Sequence, residues 1–455
     1  MADLVIKNGL VVTPTGVIKG GLAITGDKIT EVGSNELLPK TDFEVDAGGN
    51  FVLPGIIDPH AHLHRVGEGP ALLFSEAIKT ESVSGAVSGT TTVVSTAYTP
   101  IETPKQLATL RELREAGNKN SFINFKFNTV IFFDSHIEEI PELVKEGFNV
   151  FKFLMGYSGE EAAALKLRAL NWADFYKAAE VIARIGPPAI QLIHCEEPEI
   201  GHTLCERFKA EGRADLIVWE EARPAVTEGM HVFTAGLIAY QLGSPLYIVH
   251  VNSEESIDAI NYLRAKGVKV WAETCSHYLA LTKYSPFGTM AKCSPPLRDE
   301  AHQKILWKAL ANGTLQTVGS DQCMITHAAK EKGIWEAAPG AGSMASVLPV
   351  MMTDGVNKGR ITIEQFAKLC SENAAKALGI YPQKGVLSPG SDADIIIVDP
   401  NKEWVMTAAT TKSALEFFNF EGYKAKGKVM KTFLRGELIA EDGELVAKTP
   451  RGRYI

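Results

Sequence analysis

Apolar and polar residues alternate through the first 50 or so positions, in LVIKNGLVV and again in GVIKGGLAITGDKITEVG. A period of two predicts half-buried β-strands, and Asn8-Gly9 and Gly26-Asp27 read as hairpin turns between them. The same style returns near the other end in ADIIIVDP and KTFLRGELIAEDGELVAK, with Asp442-Gly443 as a further turn. Two β-rich ends around a different middle predict one small β-domain built from both termini, residues 1–53 and 385–455.

Between them, residues 54–384 alternate continuous apolar runs with helical periodicity, the pattern of parallel βα units. Eight runs stand out: 51–62, 90–98, 122–132, 148–157, 189–196, 245–252, 268–281 and 317–322. Helical patterns lie between them, for example over 103–117, 171–185 and 254–266, and two more, about 343–357 and 362–378, follow the eighth run. Eight such units predict an α/β chain folded as a (β/α)8 TIM barrel, which places its chemistry at the C-terminal ends of the strands.

A barrel also reconciles the length with the pattern. The 455 residues suggest two or three domains, but one barrel takes about 250 of them. A net charge of −8 with no basic block speaks against a nucleic-acid or anionic-membrane partner. No apolar stretch approaches the ~20 residues of a membrane span, and the start, Met1-Ala2-Asp3-Leu4, lacks the basic opening of a signal peptide. Six cysteines without a CxxC pair predict reduced thiols in a cytoplasmic protein.

Six polar residues end these apolar runs: His60 and His62 in PGIIDPHAH, Lys152 in FKF, His194 in LIHCE, His250 in IVHVN and Asp321 in GSDQC. Alternate strand residues face the same way, so His60 and His62 can close on one ion. Four imidazoles and a carboxylate suit zinc or a neighbouring divalent metal. An ammonium cannot ligate a cation. If burial leaves Lys152 as a free amine, it can capture carbon dioxide as a carbamate bridging two metals. His60, His62 and Asp321 would then hold one ion, and His194 and His250 the other. Such a pair activates water and polarises a carbonyl, while Asp321 moves a proton to a leaving nitrogen. The bland alternatives are hydrogen-bonded strand-end histidines, a lysine in solvent and satisfied core imidazoles.

Taken together, these segments resemble the amidohydrolase superfamily, and within it the dihydropyrimidinase, hydantoinase and allantoinase branch. PGIIDPHAHL, FKFLMGY, HCEE, IVHVNS, ETCSHYLALT, KCSPPLR, TVGSDQC and the terminal RGRYI carry the likeness over nearly the whole chain. The resemblance implies a binuclear metal hydrolase opening a cyclic amide, imide or ureide ring, of dihydropyrimidinase or D-hydantoinase type. It makes Lys152 the N6-carboxylysine and Tyr157 the donor to substrate and oxyanion, and puts Ser294 against the substrate ring. It further implies a β-sandwich beside the barrel, two divalent ions per subunit with zinc the first candidate, and a homotetramer.

Departures from the pattern bear on the substrate. Gln322 stands where the family usually has His after the Asp, and Ala338-Pro339-Gly340-Ala341-Gly342 replaces an Asn-Gly segment. ETCSHYL is closer to allantoinases. Dihydroorotases bind a ring carboxylate through an HxHxR arginine; here that position is His64, with Arg65 one step on. A neutral ring is therefore expected: dihydrouracil, a 5-substituted hydantoin or allantoin. The competing readings are allantoinase, then dihydroorotase, a mononuclear deaminase, and a non-catalytic dihydropyrimidinase-related scaffold. Cys195, Cys275, Cys293 and Cys323 read as packing residues, while Glu273 and His277 either line the pocket or support it from behind.

Overall fold

The computed structural model describes residues 2–66, 74–99, 103–165 and 167–455. Chain termini build one sheet. Strands β1 (Leu4–Thr13), β2 (Gly16–Thr25), β3 (Lys28–Gly33), β4 (Glu44–Asp46) and β5 (Phe51–Pro54) come from the start of the chain. From its end come β15 (Ile395–Val405), β16 (Lys424–Leu434), β17 (Glu437–Glu441) and β18 (Glu444–Leu445). The order is β18-β17-β16-β15-β5-β1-β2-β3, with β4 beside β1. Ile6, Val11, Leu22, Val52, Ile395 and Phe433 fill its core from both ends of the sequence.

The other sheet is the barrel. Its strands are β6 (Ile56–Val66), β7 (Thr90–Ala97), β8 (Asn124–Val130), β9 (Val150–Leu154), β10 (Ile190–His194), β11 (Leu246–Ile248), β12 (Val270–Cys275), β13 (Thr317–Gly319) and β14 (Gln322–Ile325). They pair in parallel in the order β13-β12-β11-β10-β9-β8-β7-β6-β14. The segments β13 and β14 are one strand position broken at Ser320-Asp321: β13 pairs with β12 and β14 with β6, which closes the ring. Helices α1 (Phe74–Ser88), α2 (Leu107–Asn120), α3 (Asp134–Lys145), α4 (Gly159–Ala164) and α5 (Trp172–Ile185) follow β6 to β9. After β10 come α6 (Pro198–Ala210), α7 (Leu216–Glu221) and α8 (Ala225–Leu242); α9 (Glu254–Ala265) follows β11.

All eight apolar runs become barrel strands, with two differences. The run 51–62 is divided at Gly55, where β5 joins the terminal sheet and β6 opens the barrel. A Cβ at Gly55 would lie 2.2 Å from Thr91 Oγ1, so the crossing between domains needs glycine there. The run 268–281 ends as strand at Cys275, and Ser276–Ala280 turns helical. The patterns at 343–357 and 362–378 form short helical pieces with wide turns at Met351–Val356 and Lys368–Glu372. All six cysteines are free. Among the described residues, no helix is long and apolar enough to cross a membrane.

Candidate active site

Six polar barrel residues meet around one pocket, His62, Lys152, His194, His250 and Asp321 lining it and His60 buried directly beside them. His60 and His62 lie on β6, Lys152 on β9, His194 ends β10, His250 follows β11, and Asp321 sits in the break between β13 and β14. His60 Nε2 is 3.1 Å from His62 Nε2 and 2.8 Å from Lys152 Nζ. Asp321 Oδ1 lies 3.2 Å from His62 Nε2 and 3.6 Å from His60 Nε2. The rings of His194 and His250 meet edge-on at 4.5 Å, and His250 is 5.5 Å from His60.

Backbone geometry is part of the construction. His250 and Asp321 take positive φ values of 41° and 48°. Such conformations cost free energy for non-glycine residues and persist where the surroundings impose them. At Asp321 the surroundings are visible: its N–H donates to the His60 carbonyl at 2.9 Å, tying the eighth strand to the first. Beneath, Asp58 accepts from Ser320 N at 3.0 Å and Ser320 Oγ at 2.5 Å, fixing the residue before it.

A further layer orients the rings. His60 Nδ1 is 3.2 Å from Glu273 Oε1, and Glu273 also accepts from the Tyr247 hydroxyl at 2.8 Å. With Nδ1–H donating to that carboxylate, the Nε2 lone pair of His60 faces the pocket. His62 Nδ1 pairs likewise with the Tyr98 hydroxyl at 2.9 Å. Glu273 thus supports His60 from behind. Tyr98 escaped the sequence reading although it ends the second apolar run, the same signal that exposed the other six. Glu196 Oε2 stands 3.5 Å from His194 Nε2, and a Cβ on Gly156 would lie 2.3 Å from that nitrogen. Only glycine lets the chain after β9 pass this close to His194.

Burial dominates the charge states. It lowers His60 to about 3 and His62 to about 4, helped by the cationic neighbours, so both rings are neutral at pH 7. Burial also brings Lys152 down to about 8, within reach of the free amine. Asp321 goes the other way: burial alone would raise it, but His60, His62 and His250 hold its carboxyl well below the usual range. Neutral imidazoles and an ionised carboxylate are the states that ligate a divalent cation. The donor atoms of His60, His62 and Asp321 all lie within 4.8 Å of one another. His194 Nε2 is buried with no hydrogen-bond partner. A buried imidazole nitrogen without a hydrogen bond, with only the Glu196 carboxylate 3.5 Å away, suits a cation ligand, so the donor set is compatible with metal.

The pocket walls include Tyr157, Ser294, Leu154, Leu167 and Ile325. Tyr157 stacks against His194 with ring centroids 5.0 Å apart, and burial raises its hydroxyl pKa well above 10. It is therefore a donor throughout the working pH range. Pro339 and Gly340, from the segment that departs from the family pattern, also line the mouth, as does Cys323. Burial raises the thiols of Cys195, Cys275 and Cys323 well above their ordinary value and that of Cys293 to about 12, leaving them protonated. Gln322 turns away from the pocket: its amide donates to Glu81 at 2.6 Å and accepts from Met344 N at 2.8 Å. The side chains of His64 and Arg65 lie outside the described residues.

Residues 247–439 match the family model described as Amidohydrolase family. The D-hydantoinase of Geobacillus stearothermophilus is 33% identical over 99% of this chain and 95% of its own length. The chain belongs to the hydantoinase family of amidohydrolases. The solved dihydropyrimidinase of Brevibacillus agri is 30% identical and superposes with a TM-score of 0.92, covering 100% of this chain and 98% of that one. An Escherichia coli allantoinase is 29% identical over 100% of the chain and 98% of its own length. Full-length likeness to hydantoinase-family enzymes embraces both sheets and the strand ends that carry the pocket.

Proposed function

We propose that this protein is a metal-dependent hydrolase that opens the ring of a small cyclic amide of the hydantoin or dihydropyrimidine kind. The observation that carries the reading is the convergence of His62, Lys152, His194, His250 and Asp321 around one pocket, with His60 in contact with His62 and Lys152 beside it. His60, His62 and Asp321 would hold one ion, and His194 and His250 a second. Lys152, as its carbamate formed with carbon dioxide (N6-carboxylysine), would bridge them. Zinc suits the nitrogen-rich donor set. Bound ions would supply Lewis acidity to the ring carbonyl and lower the pKa of the attacking water.

The chain's own groups do the rest. Asp321, ionised and 3.2 Å from His62 Nε2, is placed to take the water proton and return it to the ring nitrogen as the C–N bond breaks. Tyr157 O–H donates to the carbonyl oxygen as charge develops there, and Ser294 meets the ring through its backbone. Tyr157→Phe is accordingly expected to lower kcat by roughly 10- to 1,000-fold. A change confined to KM would make Tyr157 an ordinary binding residue.

Leu154, Leu165, Leu167 and Ile325 form apolar wall, and Lys152 is the only Lys or Arg among the described lining residues. With Lys152 carbamylated, no Lys or Arg among the described lining residues remains to pair with a ring carboxylate. A buried carboxylate without such a partner costs several kcal/mol, so neutral rings are preferred. The test is kcat/KM measured side by side for dihydrouracil, a 5-substituted hydantoin, allantoin and dihydroorotate. Dihydroorotate emerging as best substrate would overturn the reading. The ETCSHYL segment and the full-length likeness to an allantoinase keep allantoin as the second candidate. Assembly into a homotetramer belongs to the same proposal.

A further inference from the structure

One buried guanidinium joins three of the segments that face the pocket. Arg223, 5% exposed, sits in the turn between α7 and α8. One of its edges holds α4: Nη2 donates to Glu161 Oε2 at 2.9 Å and to Oε1 at 3.1 Å. Tyr157 lies four residues before Glu161, and Leu165 and Leu167 of the pocket wall follow α4. Toward β10, Arg223 Nε lies 3.8 Å from Glu196 Oε1, and Glu196 Oε2 is the atom beside His194 Nε2. A Cβ on Gly156 would come within 3.1 Å of Glu196 Cβ, so this carboxylate also borders the chain leading into Tyr157. The flat face of the guanidinium covers Trp219, its Cζ 3.4 Å from the ring centroid. The Trp219 indole in turn donates to the Cys293 carbonyl at 2.8 Å, next to Ser294.

We infer that Arg223 is a positioning residue for the proposed ring opening, setting the segments that carry Tyr157, His194 and Ser294 against one another. Arg223 is not among the described residues of the pocket wall, so it acts through these neighbours. The need for such a tie follows from the wall itself. The six residues of α4 are too few for a helix to hold its own shape in water, so what grips α4 decides where Tyr157 sits. A charged grip is firm there. Burial alone would raise the Glu161 carboxyl, but Arg223 and His202 beside it hold it down at about 2. Geometry explains the choice of arginine. Its plane offers separate edges to two carboxylates and a face to an aromatic ring, whereas lysine offers a single point charge. Placement of the Tyr157 hydroxyl matters because charge develops on one oxygen, and a shift of about 1 Å costs up to about 100-fold in rate.

This role rests on the proposed reaction, and two variants test it. Arg223→Lys keeps the charge and loses the plane. Its kcat on the best of the four rings should fall roughly 10- to 100-fold, the range for supports behind a metal site. Elemental analysis after dialysis against a chelator should find less metal than in the wild type, because Glu196 no longer steadies His194. Glu161→Gln cuts only the tie to α4. It keeps the test open if the lysine variant fails to fold, since Glu161 is partly exposed and glutamine preserves its size. In the wild-type background it should lower kcat about 10-fold or more. In a Tyr157→Phe background the loss should shrink to about three-fold or less, because a hydroxyl already removed is not misplaced. General loosening of the fold would lower both backgrounds by the same factor, and that result overturns the inference. So does Arg223→Lys protein with wild-type kcat and wild-type metal retention. With an active wild type, either result removes the positioning role alone; a wild type inert toward all four rings removes the proposed reaction and this role with it.

Discussion

Lys152→Ala protein is expected to lose both bound metal and catalysis. Elemental analysis should find about two divalent ions per chain in the wild type and fewer in the variant. Its kcat/KM should fall by at least about 100-fold, the upper end of what even outer supports of a metal site cost. The physical argument begins with position. Lys152 is buried within β9, its Nζ is 2.8 Å from His60 Nε2, and burial brings its pKa down to about 8. An ammonium in that place would repel a cation; a carbamate would bind it. Alanine leaves histidines on either side with nothing to join them. Metal content and turnover both like the wild type would remove Lys152 from the site.

Asp321→Asn should instead keep the fold and much of the metal while lowering kcat by roughly 100-fold or more, the loss of a general base. Two features make the variant informative. Asn tolerates positive φ nearly as well as Asp does, so the 48° backbone at this position is not disturbed. The N–H that ties Asp321 to the His60 carbonyl is unchanged as well. The side chain retains a weaker oxygen ligand but can no longer accept a proton. Activity within a few-fold of wild type would show that another group moves the proton.

How much of this was legible beforehand depends on the range of the interaction concerned. Alternation in residues 4–33 and continuous apolar runs from 90 onward report a local period, so strands and barrel class follow from the sequence. The six pocket residues were legible because each is a polar side chain ending an apolar run, where an unpartnered group is costly. Tyr98 carries the same signal, but in STAY it reads as an ordinary aromatic; its contact with His62, 36 positions away, exists only after β6 and β7 pair.

Other features are tertiary from the start. The division of run 51–62 at Gly55 is set by Thr91 pressing on the backbone, and no periodicity marks it. Gln322 reads as a departure from the family pattern beside Asp321 until Glu81 and Met344 N are seen to hold it. Sequence by itself determined most element types, the barrel and six polar residues that meet at the pocket, because these depend on near neighbours and on the cost of burying polarity. Tertiary structure decided the pKa directions, the strained φ of His250 and Asp321 and the supports behind the imidazoles, because each arises from groups that meet only when distant strands close the ring.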